Sequence, residues 1–569
     1  MRALLLVLLL TASAGAQPQT PNLHLLLGQQ QYENQNWQTL DQTLGPIVVG
    51  GPAATVAVGP PSGGDDTPAI QSALTGGNRR VALGCGTFSM ATLLLSDNTE
   101  LAGSGPCTIL KHNNVTASVP TFNSSCVQGA NENVRDILRN AANKCGNTNL
   151  YVHDLTLDGS NITVPPNPPT INQELAMDFQ GVTNTKLERV VIQNVPQDGI
   201  YFRNGFKNAV RNCIFDGTSL QWGNGGAVNY ETKTDTANAS QDPLLVEDST
   251  FILDGPAFCD NNAATKCDAD GTCGGGTCIG GGSVAISATG AIDNAVPPAL
   301  TAVHNTIRLS NYHVGIVSSY GRNVKIIGND IRAVPTRAGG LTGVERRMRG
   351  IHFFFTASGT RPTNRDAIIA DNTIVGDTSV TSLTASLPTN RVQGCIYAQG
   401  DLATTNGVVI ANNTCRDFSE VAGEVGIADY QTVGSVITGN VVMNIQNGDA
   451  AIRLGNSAGT MTNVNASNNV IGPTTGASTE AFQIQNVTGS SISDNIYTGL
   501  GSTLAYALLT ANTVLIDDRA TVTFANLPTV GHLADGSMFY CSNCTIASPC
   551  ASGGTGAFAK HINGAWVCN

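Results

Sequence analysis

The chain has 569 residues, of which 12% are charged, 41% hydrophobic and 5% aromatic, and 63 are glycine. This composition excludes a coiled coil, a helical bundle and a disordered tail, because those classes need far more charge or far less apolar content. Lys and Arg number 29 against 41 Asp and Glu, which gives a net charge of -12. The overall positive charge that neutralises phosphates is therefore absent, and no nucleic-acid partner is expected.

Residues 1–16 are predicted to be a secretory signal peptide. Arg2 is the charged start, residues 3–10 are apolar, and Ala14, Gly15 and Ala16 form the small-residue exit. Eight apolar residues are too few for a membrane anchor, and no later run approaches the ~18 residues of a span. We therefore expect a secreted, extracellular protein without a membrane span.

Residues 17–63 are interpreted as an N-terminal segment that ends in a linker. The segment contains Trp37, and residues from 46 onward are rich in Gly, Pro and Ala. A segment of this kind is compatible with homo-oligomerisation and equally with local docking, so both alternatives stay open.

Residues 64–74 predict one short helix. Asp65 and Asp66 give an acidic start, Pro68 follows at an early helical position, and apolar residues recur at helical spacing. We expect this helix to cap the open end of a solenoid.

A short phrase, Asn followed two places later by an apolar residue, recurs along the chain. Its Asn residues are Asn212, Asn305, Asn329, Asn372, Asn413, Asn440, Asn469 and Asn495. Uninterrupted spacings run from 24 to 29 residues, which indicates stacked units. Each unit is rich in Val, Ile, Thr and Gly, unlike a leucine-rich repeat, and this favours coils of a parallel β-helix. We expect each Asn to occupy a corner that needs φ > 0 and to hydrogen-bond from coil to coil.

The order of these features resembles the pectate-lyase-like superfamily. The carrying residues are the Asp-Asp-Thr-Pro-Ala-Ile-Gln phrase that begins at Asp65, the Gly-Cys-Gly phrase at Gly84, and the Thr-Ile-Leu phrase at Thr108. The resemblance covers residues 64–520 and implies an all-β fold, a right-handed parallel β-helix solenoid with a capping helix. The superfamily includes polysaccharide lyases, polygalacturonase-type hydrolases, epimerases and tailspikes, so the resemblance is specific for fold and much less for chemistry.

The 15 cysteines favour an oxidising compartment, and their odd number leaves at least one thiol outside intrachain pairs. Four lie in an insertion at 256–282, and four lie in a C-terminal cap at 521–569. We expect each group to form a local disulfide-stapled unit without metal. Four-thiolate zinc is the alternative in either group.

One outward strand face is predicted to carry the site. Side chains alternate along a strand, so Ile200 and Phe202 point inward and leave Arg203 outside. The same frame places further polar side chains outside on later coils: His352, Tyr397, Tyr430 and Arg453. Neighbouring strands lie about 4.8 Å apart, so these side chains would surround one sugar unit.

An Arg-rich segment, residues 332–349, precedes the coil that carries His352. It contains Arg332, Arg337, Arg346, Arg347 and Arg349. Guanidinium groups suit carboxylate recognition, and β-elimination of a uronate needs a neutralised carboxylate, a base and an acid. We expect a lyase that acts on an acidic polysaccharide, in which His352 with Tyr397 or Tyr430 transfers protons. We further expect a nearby arginine to favour the ionised form of that tyrosine.

The substrate would be bound by Arg346, Arg347, Arg349, Arg453 and Arg203. Calcium bound through the substrate is the one cofactor left open.

Two other functions remain open. A glycoside hydrolase of this fold would use the carboxylates Asp178, Asp198 and Glu231, which lie on consecutive early coils. The Gly-His-Gly and Arg-x-Lys phrases of polygalacturonase-type hydrolases do not occur in the sequence, so their catalytic residues cannot be carried over. The third alternative is a non-catalytic shaft or adhesin.

Overall fold

A computed structural model places residues 48–569 in one compact unit. It describes residues 54–162, 174–217, 226–237, 242–254, 257–259, 262–267, 278–279, 284–290, 298–310, 314–334, 348–354, 365–377, 394–400, 406–419, 425–446, 450–457, 459–472, 474–475, 480–498, 506–509, 512–528 and 530–569. The predicted signal peptide and Trp37 therefore lie outside the described residues, and the domain boundaries remain predictions.

The short helix before the solenoid is confirmed at Thr67–Leu74, with Pro68 in its first turn. Ile70, Ala73 and Leu74 are buried against the solenoid core. Asp66 precedes the helix and accepts hydrogen bonds from the backbone N–H groups of Ser62 (2.8 Å) and Ser89 (3.0 Å). The helix is thus held to the first coil by both packing and hydrogen bonds.

Two long sheets account for most of the strands. Sheet 2 has 13 strands: Leu93–Leu95, Leu138–Asn140, Met177–Gln180, Ile200–Arg203, Gly226–Thr232, Val284–Gly290, Val314–Ser319, Arg349–Phe354, Ile396–Gln399, Val425–Tyr430, Ala450–Leu454, Glu480–Ile484 and Tyr506–Leu508. Sheet 1 has 31 strands: Ala54–Ala57, Arg79–Ala82, Gly86–Met90, Thr99–Ala102, Thr108–His112, Thr148–Asp158, Thr183–Gln193, Ala209–Arg211, Ile214–Asp216, Leu244–Glu247, Thr250–Leu253, Leu300–Val303, Thr306–Leu309, Arg322–Ile327, Asp330–Ala333, Arg365–Ala370, Thr373–Val375, Asn406–Ala411, Thr414–Ser419, Val436–Thr438, Val441–Gln446, Met461–Thr462, Asn465–Ser467, Val470–Ile471, Thr474–Thr475, Val487–Ser493, Ile496–Tyr497, Thr513–Val522, Met538–Cys541, Ala557–Ile562 and Ala565–Cys568.

Successive coils pair in parallel and in register. Ile200 pairs with Val228, which pairs with Ile286, and the same column continues to Ile316 and Ile351. Sheet 2 contributes one strand to each coil, and in the regular coils sheet 1 contributes two, separated by a short corner. This stacking is a parallel β-helix, so the fold expected from the pectate-lyase-like resemblance is confirmed.

The core is a continuous column of apolar side chains inside the coils. Phe179, Phe202 and Phe353 are at most 1% exposed and belong to the same inward row of sheet 2. On sheet 1, the Phe215 and Phe251 rings are stacked with centroids 4.6 Å apart. Each coil thus buries its apolar row against the next coil, as in other solenoids.

The stacked Asn ladder is confirmed for seven of the eight predicted residues. From Asn305 to Asn495, each side-chain amide donates to the Oδ1 atom of the next Asn at 2.9 to 3.0 Å. The backbone N–H of each also donates to the same Oδ1 atom. Asn212 lies outside the ladder, because its position pairs with Asp248; Cys213 and Ser249 occupy the ladder column on those two coils.

The corner itself corrects the predicted role of Asn. None of the seven ladder residues has positive φ; instead, the residue before each column position has φ between 49° and 67°. These preceding residues are Asn212, Asp248, His304, Gly328, Asp371, Asn412, Gly439, Asn468 and Asp494. Gly, Asn and Asp tolerate this conformation best. The positive-φ turn and the hydrogen-bonded ladder therefore occupy adjacent residues, and the Asn of the repeated phrase marks only the ladder position.

Five disulfide bonds occur among the described cysteines. The C-terminal cap contains Cys541–Cys544 and Cys550–Cys568, which confirms disulfides in this module. Three further bonds within the solenoid were not predicted: Cys85–Cys107, Cys126–Cys145 and Cys395–Cys415. Cys213 is free and buried. The pairing predicted for the insertion lies outside the described side chains.

Smaller sheets complete the fold. In the insertion, Ala257–Cys259 pairs antiparallel with Asn262–Cys267 and Cys278–Ile279. Ala117–Phe122 pairs with Gln128–Val134, and Cys544–Thr545 pairs with Ala551–Ser552. Two short 3-10 helices, Phe524–Asn526 and Val530–His532, lie in the first part of the cap. Within the described ranges, no helix is long and apolar enough to cross a membrane.

We predict that Asn413→Ala lowers the free energy of unfolding by about 2–4 kcal/mol, because it leaves buried partners without hydrogen bonds. Asn413 is fully buried and donates to the Ile369 carbonyl at 2.8 Å and to Asn440 at 3.0 Å. Thermal unfolding followed by circular dichroism measures the change. The control is Asn465→Ala at an exposed position. Equal unfolding midpoints for the two variants would contradict a stabilising ladder.

Candidate functional site

The outward face of sheet 2 carries two rows of stacked side chains that run from coil to coil. The first row, in register, is Arg139, Asp178, Tyr201, Asn229, Ser287, Val317, His352, Tyr397, Ala428, Arg453 and Gln483. The second row is Gln180, Arg203, Glu231, Thr289 and Ser319, and on later coils Gln399 and Tyr430. Alternation also predicts Ala285 and Ser287 as the outward pair of the strand Val284–Gly290, but Ala285 is fully buried, and Ser287 and Thr289 take the outward positions. Polar side chains concentrate at the two ends of the rows.

The first concentration is a basic aromatic cluster, defined as Arg349, His352, Tyr397, Gln399, Tyr430 and Arg453. The rings of His352 and Tyr397 meet edge to face with centroids 4.6 Å apart. Tyr397 and Tyr430 meet in the same way at 5.3 Å, and the Arg453 guanidinium lies 5.4 Å from the centre of the Tyr430 ring. The register of three consecutive coil steps thus brings together the His, Tyr and Arg residues that the alternation predicted.

Burial shifts the pKa values of His352 and Tyr397 in opposite directions. Burial and, to a smaller extent, the Arg349 charge lower the pKa of His352 to about 3. Burial also raises the pKa of Tyr397 to about 12, against the opposing influence of Arg349 and Arg453. The two arginines favour the ionised form of Tyr397, as expected, but desolvation of the phenolate outweighs the guanidinium charges and the phenol stays neutral. At neutral pH the site holds a neutral imidazole beside a neutral phenol.

The arginines of the 332–349 segment occupy different places. Arg349 begins the strand that carries His352 and acts electrostatically on both His352 and Tyr397. Arg332 belongs instead to sheet 1, where its Nε donates to Asp330 at 2.7 Å. Arg346 and Arg347 lie outside the described residues. The described positive charge at the cluster therefore comes from Arg349 and Arg453.

The donors in this cluster do not suit calcium. They are guanidinium, imidazole, phenol and amide groups, and between Arg349 and Arg453 the described outward positions include no carboxylate. Ca²⁺ prefers carboxylate and carbonyl oxygens. Among the described residues, moreover, no three His, Cys, Asp or Glu side chains form a group that would hold a metal ion.

The second concentration lies on the early coils and begins with a buried ion cluster. Arg139 is 1% exposed and contacts Asp136 at 3.4 Å, Asp178 at 3.3 Å and also Glu132. Asp178 is fully buried and accepts further hydrogen bonds from the amides of Asn143 (3.0 Å) and Gln180 (2.8 Å). Burial raises the pKa of Asp136 well above its usual range. This arrangement holds coils together and leaves Asp178 without solvent access.

Asp198 and Glu231 lie nearer the surface of the same concentration. Asp198 accepts hydrogen bonds from the Gly226 backbone N–H and from the Asn229 amide. Burial raises its pKa to about 7, with smaller contributions from neighbouring carboxylates. Glu231 accepts a hydrogen bond from the Tyr201 hydroxyl, which accepts one from Arg203 Nε at 2.8 Å. Arg203 is thus tied to Tyr201 and Glu231 rather than held free for a ligand.

Some residues on this face escaped sequence reasoning. Arg139 sits in the three-residue strand Leu138–Asn140, which is too short to show alternation. Alternation from Tyr397 places Gln399 outward, but no charge or repeat gives it a role; in the structure its Oε1 accepts a hydrogen bond from the Tyr397 hydroxyl at 2.7 Å. The position of Arg139 follows only from its pairing with Asp178 on the next coil.

Solved structures similar to this chain include two enzymes and an adhesin. The A-module of mannuronan C-5 epimerase AlgE4 from Azotobacter vinelandii is 14% identical, with coverage of 83% of this chain and 99% of that one and a TM-score of 0.38. The surface adhesin PfbA of Streptococcus pneumoniae is 14% identical over 91% and 98%, with a TM-score of 0.40. A family 28 exopolygalacturonase from Yersinia enterocolitica is 11% identical over 82% and 78%, also with a TM-score of 0.40.

No activity follows from similarities this weak. No protein-family model matches the chain, and no curated protein matches it in sequence.

We predict that Asp198→Asn flattens the pH dependence of stability. A carboxyl whose pKa is raised to about 7 in the folded protein stabilises the fold below about pH 4, and this stability is lost as the pH rises through about 7. The amide does not titrate, so the variant should lack this decline, which amounts to at most about 1.4 kcal/mol per pH unit. Thermal midpoints measured from pH 4 to pH 8 test it.

The matched control is Asp494→Asn, at an exposed corner whose positive φ both residues tolerate. Its pH profile should follow that of the unmodified protein. An unchanged slope in Asp198→Asn would refute the assignment of a protonated Asp198.

Proposed function

We propose that the chain is a carbohydrate-active enzyme, a lyase that cleaves an acidic, uronate-containing polysaccharide by β-elimination. One observation carries the proposal: His352 and Tyr397 contact each other on adjacent coils, with Arg349 and Arg453 beside them on the same face. A base, an acid and two cations are the groups that this reaction requires. Tyr430 would form part of the sugar-contacting surface beside Arg453.

The proton assignments follow from the electrostatics. The neutral His352 imidazole takes the C5 proton of the uronate, and the electron pair forms the C4–C5 double bond. The bond from C4 to the leaving oxygen breaks, and that oxygen takes the Tyr397 hydroxyl proton. The imidazolium and phenolate that result return to their neutral forms by proton exchange with water. At neutral pH the two groups are in the protonation states that this division of roles needs, an imidazole that can accept a proton and a phenol that can donate one.

The two arginines would neutralise the substrate carboxylate. Neutralisation makes the C5 proton more acidic, and a guanidinium binds a carboxylate through two parallel hydrogen bonds. Arg349 stands beside His352, where the proton leaves, and Arg453 stands beside the tyrosines. Arg346 and Arg347, close in sequence to Arg349, remain proposed contributors to substrate binding.

An extracellular location is part of the proposal. Five disulfide bonds occur within the described chain, and disulfides persist mainly in oxidising compartments. The predicted signal peptide supports the same location. A high-molecular-weight acidic glycan is a substrate that an enzyme meets outside the cell.

Hydrolysis is the second candidate, favoured by Asp198. A carboxyl with a pKa of about 7 is partly protonated at neutral pH and suits a general acid. Glu231 would act as its carboxylate partner, as glycoside hydrolysis requires. Against this role, Glu231 already binds Tyr201 and lies 3.9 Å from Arg203 and 3.0 Å from Lys233.

We predict that His352→Ala and Tyr397→Phe each lower turnover of a polyuronate by about two to four orders of magnitude, because each removes a proton-transfer group. The assay follows both the ultraviolet absorbance of C4–C5 unsaturated products and the release of reducing ends. Arg453→Ala should raise KM and lower kcat by a smaller factor, because it removes a cation that both binds the substrate carboxylate and makes the C5 proton more acidic. His352→Gln, which fills the same space, tests whether any loss reflects packing.

The control is His304→Asn, at an exposed corner of sheet 1 where Asn tolerates the positive φ of 55°. It should retain full activity. Reducing ends without unsaturation would move the assignment to hydrolysis by Asp198 and Glu231. Binding of the glycan without any product would favour the non-catalytic adhesin.

A further inference from the structure

Exposed apolar side chains are concentrated near the C-terminus. Eleven large hydrophobic residues are exposed in the described chain, and eight of them lie between residues 496 and 562. Five belong to the C-terminal cap: Ile546 is 77% exposed, Phe558 49%, Ile562 40%, Phe524 37% and Met538 36%. Singly exposed residues need no explanation, but a concentration of them on one module does.

Three of these five, Met538, Phe558 and Ile562, share one face of the antiparallel cap sheet. The strand Ala557–Ile562 alternates strictly, with Ala557, Ala559 and His561 buried and Phe558, Lys560 and Ile562 exposed. An antiparallel sheet with one wet face normally directs its large apolar side chains inward. Here the strand buries its alanines and exposes its phenylalanine and isoleucine, which is typical of a face that another surface covers.

The neighbouring strand enlarges this face. Met538 pairs with Lys560, and Tyr540 pairs with Phe558, so both side chains lie on the outer side of the sheet. The Tyr540 and Phe558 rings meet edge to face with centroids 5.4 Å apart. These rings are not coplanar, so the face is not the flat aromatic platform on which a sugar would stack. Met and aromatic residues are enriched where proteins meet proteins.

The charges on this face would complement those on the same face of a second copy of the chain. Asp517, Met538 and Lys560 form one row across three adjacent strands, and all three are exposed. The strands are about 4.8 Å apart, so Asp517 and Lys560 flank Met538 at equal distances. A two-fold axis along the strand direction above Met538 would place Asp517 of one copy over Lys560 of the other, twice. The same axis would bring the two Tyr540 rings together.

We propose that this face, defined by Asp517, Met538, Tyr540, Phe558, Lys560 and Ile562, is the contact surface of a two-fold symmetric homodimer. A two-fold interface needs a surface that complements itself, and this row does so in both charge and apolarity. The occupant is a second copy of the same chain. The proposal is independent of the catalytic proposal, because neither the basic aromatic cluster nor the early carboxylates take part in it.

The decisive test uses charge exchange between two variants of the full chain. Lys560→Asp alone places like charges opposite each other at both contacts of a dimer, and Asp517→Lys alone does the same with positive charges. Each variant should therefore weaken self-association by at least about tenfold. An equimolar mixture should restore it, because each acidic variant now faces a basic one. Sedimentation equilibrium over about a hundredfold range of concentration measures this.

Two controls separate a specific contact from misfolding. Lys207→Asp makes the same charge change at an exposed position on the solenoid and should dimerise normally. Phe558→Ala should dimerise more weakly while its thermal midpoint, measured where the protein is monomeric, stays unchanged. A monomeric parent protein at every concentration overturns the proposal. The proposal is also overturned if a mixture of the two charge variants stays as monomeric as each variant alone. It is overturned likewise if retention of the protein on polysaccharide requires Phe558 while the protein does not dimerise.

Discussion

The register of the stacked coils is the constraint on which the rest of the structure depends. Parallel pairing aligns each residue with its counterpart on the next coil, and the buried ladder from Asn305 to Asn495 makes any slip costly, because every amide would lose its partners. A slip by one residue would also turn each inward row outward. The apolar column and the outer rows are thus one geometric consequence of the same pairing.

The ladder corner and the functional face respond differently to insertions. At the corner the Asn column and its positive-φ neighbour follow each other without interruption on nine consecutive coils, counting Cys213 and Ser249 as column members. Long connections enter instead beside the strands of sheet 2, as between Leu253 and Val284 or between Val375 and Ile396. Connections of variable length can shape a binding surface without disturbing the buried hydrogen bonds.

The two polar concentrations on sheet 2 differ in the groups that surround their arginines. On the early coils Arg139 is surrounded by carboxylates, and Arg203 binds Tyr201 and faces Glu231. In the basic aromatic cluster Arg453 lies beside the Tyr430 ring, and Arg349 and Arg453 both act electrostatically on Tyr397. The proposed uronate site on the later coils therefore depends on the His and Tyr side chains that these arginines adjoin.

Much of the architecture was determined by the sequence alone, because period and alternation are local properties of a strand. The spacing of Asn residues predicted the coils, and the alternation around Ile200 predicted which rows face outward, including His352 and Tyr397. Ala285 and Asn212 were misplaced, because a shift of one or two positions is invisible without the neighbouring coil. Only the tertiary structure decided the proton states of Tyr397 and Asp198 and the compensation of Arg203. Those depend on desolvation and on contacts between coils, which residues distant in sequence create together.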